Sequence, residues 1–155
     1  YGLEVIDAKI FTSRDNQFAA NTFITKYSRH NRTLKENELI ELTSKIKSNF
    51  NKIEEINVLN TNKIDNSKFE KIVKIAESIN KDNDRNLITI ETVDSSGLLT
   101  NIAKVFFDNN VSIYSARINT LGERVEDTFE VENFNKKLVP NYKVKKIISE
   151  LMKVV

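Results

Sequence analysis

The 155-residue sequence has no cysteine and a single histidine, His30. No thiolate nucleophile is therefore available, and no His-Asp metal cluster can be assembled from its side chains. No apolar run approaches the roughly eighteen residues of a membrane-spanning helix, and no charged-then-apolar leader opens the chain. An excess of one charge is missing too. Lys and Arg number 24 against 22 Asp and Glu, a formal net charge of +2 spread along the sequence. Neither nucleic acid nor a membrane is an expected partner of such a surface. What is present is 39% hydrophobic, enough for a packed core in one domain or two small ones. A soluble cytoplasmic protein is expected. Tyr1 and Gly2 stand directly before a strand-like run, an opening expected of a segment cut from something longer.

Two stretches about a hundred residues apart echo each other. Leu3–Thr12 (LEVIDAKIFT) aligns with Val111–Thr120 (VSIYSARINT) at an offset of 108, matching Ala8 to Ala116, Lys9 to Arg117, Ile10 to Ile118 and Thr12 to Thr120. Beyond the turn, Thr22-Phe23 aligns with Thr128-Phe129 at an offset of 106. Asp15-Asn16 and Gly122 suit the positive φ that tight hairpin turns require. Each copy is thus expected to be a β-hairpin. A helix should follow each: Leu39, Leu42, Ile46 and Phe50 recur at helical spacing within 33–50, and Val144, Ile147, Ile148, Leu151 and Val155 do so after Pro140, which suits a first helical turn.

Only the second hairpin has a visible prelude. Residues 86–93 (NLITIETV) are strand-like, Asp94-Ser-Ser-Gly97 is a turn, and Leu98, Leu99, Ile102, Ala103 and Phe106 share a helical face. The order strand, helix, strand, strand, helix predicts an α+β fold, a split βαβ with helices on one face of an antiparallel sheet and room for one more strand. The first copy begins where that helix would end, so it is expected to lack its first strand and helix. Residues 1–50 read as this partial module, 51–68 as a linker, and 69–155 as the second module with a preceding strand. Within 69–80 periodicity leaves two readings open. Phe69, Ile72, Val73, Ala76 and Ile79 fit a helix, whereas Val73, Ile75 and Ile79 fit a strand folding back on 86–93. Exposed hairpin edges at 3–12 or 21–25 predict pairing with the second copy or with another chain.

A strand ending in Asp94, the Gly97-Leu98-Leu99 helix start and a hairpin headed by Ser112-Ile113 resemble an ACT domain, the βαββαβ ferredoxin-like module that senses amino acids in metabolic enzymes. The run Ser115–Phe129 (SARINTLGERVEDTF), with Asp7–Asp15 (DAKIFTSRD) before it, resembles more sharply the C-terminal tandem ACT region of the bifunctional uridylyltransferase/uridylyl-removing enzymes. The chain departs from the family at Ser95 and Ser96, where Asp-Arg-Pro-Gly commonly precedes Leu-Leu.

The resemblance implies a regulatory, glutamine-sensing region of an enzyme that attaches UMP to the nitrogen regulatory protein PII and removes it again. L-Glutamine is then the effector, PII the substrate of the parent, and Mg and UTP belong to the parent's catalytic domains. No cofactor and no catalytic residue is expected in this chain. Asp94, Ser95, Ser96, Gly97, Leu98 and Ser112 are the candidate ligand-binding residues. A helix start attracts a carboxylate, Gly97 allows close approach, Asp94 receives an ammonium group, and Ser112 is placed facing that loop. The plain alternative is a strand-to-helix turn with a serine N-cap and an ordinary strand serine. Glu123, Arg124, Glu126 and Asp127 read as a solvated face, and His30 as exposed. Two other functions stay open: an interaction module that only pairs chains, or the ACT module of another regulated enzyme such as a (p)ppGpp synthetase/hydrolase.

Overall fold

A computed structural model describes residues 3–13, 15, 17–27, 32–49 and 73–155, with Glu4 described by its backbone alone. The expected linker over 51–68, positions Phe50, Phe69 and Ile72, the turn residue Asn16 and His30 lie outside the described residues.

Alternation of side chains builds the sheet. Strand β4 (Arg85–Val93) buries Asn86, Ile88, Ile90 and Thr92 on one face, and β6 (Arg124–Asn133) buries Val125, Asp127, Phe129 and Val131. Between them in sequence come α2 (Leu98–Asp108), which buries Leu98, Ile102, Val105 and Phe106, and β5 (Val111–Leu121). Helix α3 (Asn141–Val154) follows, burying Val144, Ile147 and Leu151, with Pro140 at its N-cap position. Both helices lie on the apolar face. Phe106 of α2 meets Phe129 edge to face, with ring centroids 5.3 Å apart.

Strand β3 (Lys74–Asn80) pairs antiparallel with β4, from Lys74 opposite Glu91 to Asn80 opposite Arg85. Of the two periodicities open in this segment, the strand is the one realised. Periodicity could not choose; a partner strand one short turn away does, because pairing satisfies backbone groups along β4's free side from Arg85 to Glu91. Asp84 closes that turn at a φ of 56°, its N–H on the Asn80 carbonyl at 2.9 Å.

The first hairpin, β1 (Leu3–Thr12) and β2 (Ala19–Tyr27), joins the same sheet. The strand order is β2-β1-β5-β6-β4-β3, every neighbouring pair antiparallel. The register of β1 on β5 is symmetric in the repeat. Ala8 pairs with Ile118, and their counterparts Ala116 and Ile10 pair as well; Lys9 faces its own counterpart, Arg117. A local two-fold axis therefore passes between Lys9 and Arg117. Hence one edge of the first hairpin is covered by the second copy, and among the described residues β2 carries the outer edge.

The two repeats are unequally covered. Helix α1 (Glu36–Asn49) forms as its spacing predicts, and Glu38 ties its start by accepting from Arg32 at 2.7 and 2.8 Å and from the Lys35 N–H at 2.7 Å. The Arg32 guanidinium, then the Lys35 N–H, holds the Glu38 carboxyl down at about 2. Yet none of its residues is buried, and Leu39 and Ile46 of the expected apolar stripe stay exposed. Phe23 is 49% exposed where its counterpart Phe129 is 1%. No described element stands over the first hairpin as α2 and α3 stand over the second.

The second hairpin's turn has a local requirement. Gly122 sits at φ 66°, where a Cβ would meet no atom within 4 Å. Gly122→Ala should therefore cost only the left-handed backbone strain, about 1 kcal/mol, read as a lowered urea midpoint with an unchanged slope. A loss of several kcal/mol would mean that the turn does more than reverse the chain.

Candidate functional site

Helix α2 begins without a side-chain cap. Its N-cap position is Gly97, at φ 82° and ψ 2°, which has no side chain to cap the first turn. The serine N-cap that a plain turn would supply is thus not formed. Leu98 donates to the Ser95 carbonyl at 3.1 Å and Asn101 to the Gly97 carbonyl at 2.9 Å, while Asp94, exposed, anchors the turn by donating its N–H to the Glu123 carbonyl at 2.7 Å. An uncapped start of an eleven-residue helix presents N–H dipoles that favour an anion.

That start opens onto a pocket of about 330 Å³. Asp94, Ser95, Ser96, Gly97 and Leu98, five of the six residues expected from sequence, line it together. Leu99 and Thr100 extend the helix side, and Ile118, Thr120, Val125 and Asp127 come from the β5–β6 hairpin. Leu3 and Val5 of β1 form the remaining wall, so the pocket lies between the two repeats.

Ser112 is not among the lining residues, and its expected position facing the loop is corrected here. Helix α2 carries the chain from the last residues of β4 back to the first residues of β5, so Ser112, opposite Glu132, lies near the end of α2, whereas Leu121, opposite Arg124, lies near its start. Eight residues of strand separate Ser112 from Thr120, roughly 25 Å. Across the local two-fold, the start of β5 stands toward the first hairpin as the start of β1 stands toward the pocket.

Asp127 is a second correction. It is not part of a solvated cluster: it is 1% exposed. The signal was available in sequence, since Val125, Asp127, Phe129 and Val131 share one parity along β6 and must share a face. Its Oδ1 accepts the Asn119 N–H at 3.2 Å, at a place where regular β5–β6 pairing lapses between Arg117 and Thr120. Burial pushes its carboxyl up to about 6; the Asn119 N–H opposes this and the Asp94 charge adds to it. Among the described residues no Lys or Arg neutralises it. Thr92, cross-strand from Val125, is 3% exposed, and its hydroxyl has no hydrogen-bond partner among the described residues. The pocket thus joins an anion-attracting helix start to a buried, uncompensated carboxylate, with apolar walls between them.

The described residues contain no group of three His, Cys, Asp or Glu able to hold a metal ion, and no described helix is long and apolar enough to cross a membrane.

Over 154 residues, 98% of its length, the chain is 28% identical to the bifunctional uridylyltransferase/uridylyl-removing enzyme of Psychrobacter sp. (strain PRwf-1), of which it spans 17%. Shorter stretches match more closely. Identity is 52% over 50 residues with the enzyme of the same name from Pseudoalteromonas translucida, and 54% over 46 residues with that from Cupriavidus metallidurans. These stretches cover 32% and 30% of the chain, and 6% and 5% of the relatives. The chain therefore spans about a sixth or less of the length of these relatives. No protein-family model matches the chain, and no solved structure does. The family resembled by the hairpin residues is the one that these relatives carry in their names.

Proposed function

We propose that this chain is a regulatory region of a PII-modifying uridylyltransferase/uridylyl-removing enzyme and that it senses free L-glutamine in the pocket between β1 and the start of α2. Residues 1–50 act as a partial first ACT module and 69–155 as the second. The reading rests on one observation, the placing of an uncapped helix start and the buried Asp127 carboxylate on the walls of one pocket. The helix start takes the α-carboxylate, Asp127 and Asp94 take the ammonium group, and Leu3, Val5, Ile118 and Val125 meet the methylenes. Binding then ties the two repeats together, because β1 belongs to one and α2 to the other. Transfer and removal of UMP, with Mg and UTP, belong to other parts of such an enzyme, and no step of either is assigned to these residues.

L-Glutamine at about ten times its dissociation constant should stabilise the fold by roughly 1.4 kcal/mol, from RT ln(1 + [L]/Kd), and raise the melting temperature by about 3–6 °C. Asp94→Ala should abolish the shift and leave the unliganded melting point nearly unchanged, because Asp94 is exposed. Glutamate, with an added negative charge near two carboxylates, should bind more weakly. An absent shift at tens of millimolar glutamine would favour a pairing module instead, a reading supported by the outer edge that β2 carries among the described residues.

A further inference from the structure

The local two-fold that relates the hairpins also relates two places on the sheet. Around the pocket stand Ile118, Thr120, Val125 and Asp127; their counterparts in the first repeat are Ile10, Thr12, Ala19 and Asn21. Three of these four positions keep a residue of similar polarity. The fourth does not: a carboxylate in the second repeat becomes a neutral amide in the first. Asn21 sits opposite Ile10 in regular pairing and is exposed, whereas Asp127 is 1% exposed beside a lapse in pairing.

A buried carboxylate in a globular interior is ordinarily paired with a cation or with several donors. Asp127 has one backbone donor, on one of its two oxygens. Held ionised, it leaves a local negative charge on a pocket wall that a positively charged group can neutralise. The opposite wall, the α2 start, is suited to a negative one. We infer that Asp127 is the residue that selects a primary ammonium group at this pocket, and that a chain binds a single α-amino acid, because the place related by the two-fold has neither this carboxylate nor, among the described residues, a helix start over it. The inference rests on the amino-acid-sensing reading above, and it adds the residue that confers specificity and the stoichiometry.

The test is calorimetric titration of the chain with L-glutamine and with its des-amino analogue, 4-carbamoylbutanoate, alongside a panel of other L-amino acids. Glutamine should bind with a stoichiometry of one and be preferred over the des-amino analogue by roughly tenfold to a hundredfold, the worth of a charge-assisted hydrogen bond. Asp127→Asn should weaken glutamine by that factor while leaving 4-carbamoylbutanoate unchanged or tighter, and its far-ultraviolet spectrum and melting curve report whether it folds. Asp127→Glu keeps the charge and serves as a second variant; it should retain a preference for the amine that Asp127→Asn loses. If glutamine binds wild type and Asp127→Asn alike, or with a stoichiometry of two, the inference fails and the sensing reading stands. If another amino acid binds with Asp127-dependent preference for its amine and glutamine does not, glutamine sensing fails and the inference stands. Binding of no amino acid overturns both.

Discussion

Phe129→Ala should destabilise the protein by about 3–5 kcal/mol, and the same change at its repeat counterpart Phe23 by about 1 kcal/mol or less. The two residues occupy matching strand positions, yet one is 1% exposed against Phe106 and the other is 49% exposed. Truncating Phe129 removes a buried ring and leaves a cavity beneath α2 that close packing cannot refill. At Phe23 water already reaches half of the ring. Urea unfolding of the two variants measures the difference directly. Equal losses would mean that the first hairpin is covered in solution by an element with the role of α2, supplied by another chain or by residues outside those described.

Much of the second unit was legible because its patterns are local. The β-rich run 86–93 and the helical face through Leu98, Ile102 and Phe106 each point to one element, and those elements form where expected. The echo of Ala8-Lys9-Ile10 in Ala116-Arg117-Ile118 announced two hairpins, and the cost of open edges called for a partner, the second copy or another chain, of which the second copy is the one that pairs. Residues 73–80 were ambiguous because Val73 and Ile79 satisfy both periods; a partner strand decided, and partners are not written in a segment's own periodicity. The site was partly legible. Asp94 to Leu98 formed one contiguous motif, but Leu3 and Val5 reach the pocket only through the β1–β5 pairing. Asp127 was misjudged by composition, as one of four charges around a turn, when strand parity put it on the core face. Ser112 was misjudged because the return of the chain through α2 sets which end of β5 meets the helix start.

Asp127→Asn should raise stability by about 2 kcal/mol at pH 7, an unusual direction for a buried polar substitution. Burial lifts the carboxyl from an ordinary value of 3.8 to about 6, so the folded state holds the proton more tightly than the unfolded one. The stability linked to this group is therefore fully present below about pH 4 and is lost as pH rises through about 6. Roughly two pKa units correspond to about 3 kcal/mol, reduced here for the solvent that reaches the pocket. Asparagine carries no charge to bury, and its carbonyl oxygen can still accept the Asn119 N–H. Urea midpoints of wild type and variant at intervals from pH 3.5 to 8 should diverge from about pH 4 to 6.5 and run parallel above it. A variant that is less stable at pH 7, or a gap independent of pH, would contradict the placing of Asp127.

The most direct measurement of whether an amino acid is sensed between the repeats is a titration of isotopically labelled chain with L-glutamine, followed through its backbone amide resonances. The amides of Gly97, Leu98 and Leu99, with those of Val5 and Asp127 across the pocket, should shift together and saturate along a single isotherm. Resonances that stay still at the α2 start, or that move instead along β2 and α1, would contradict it.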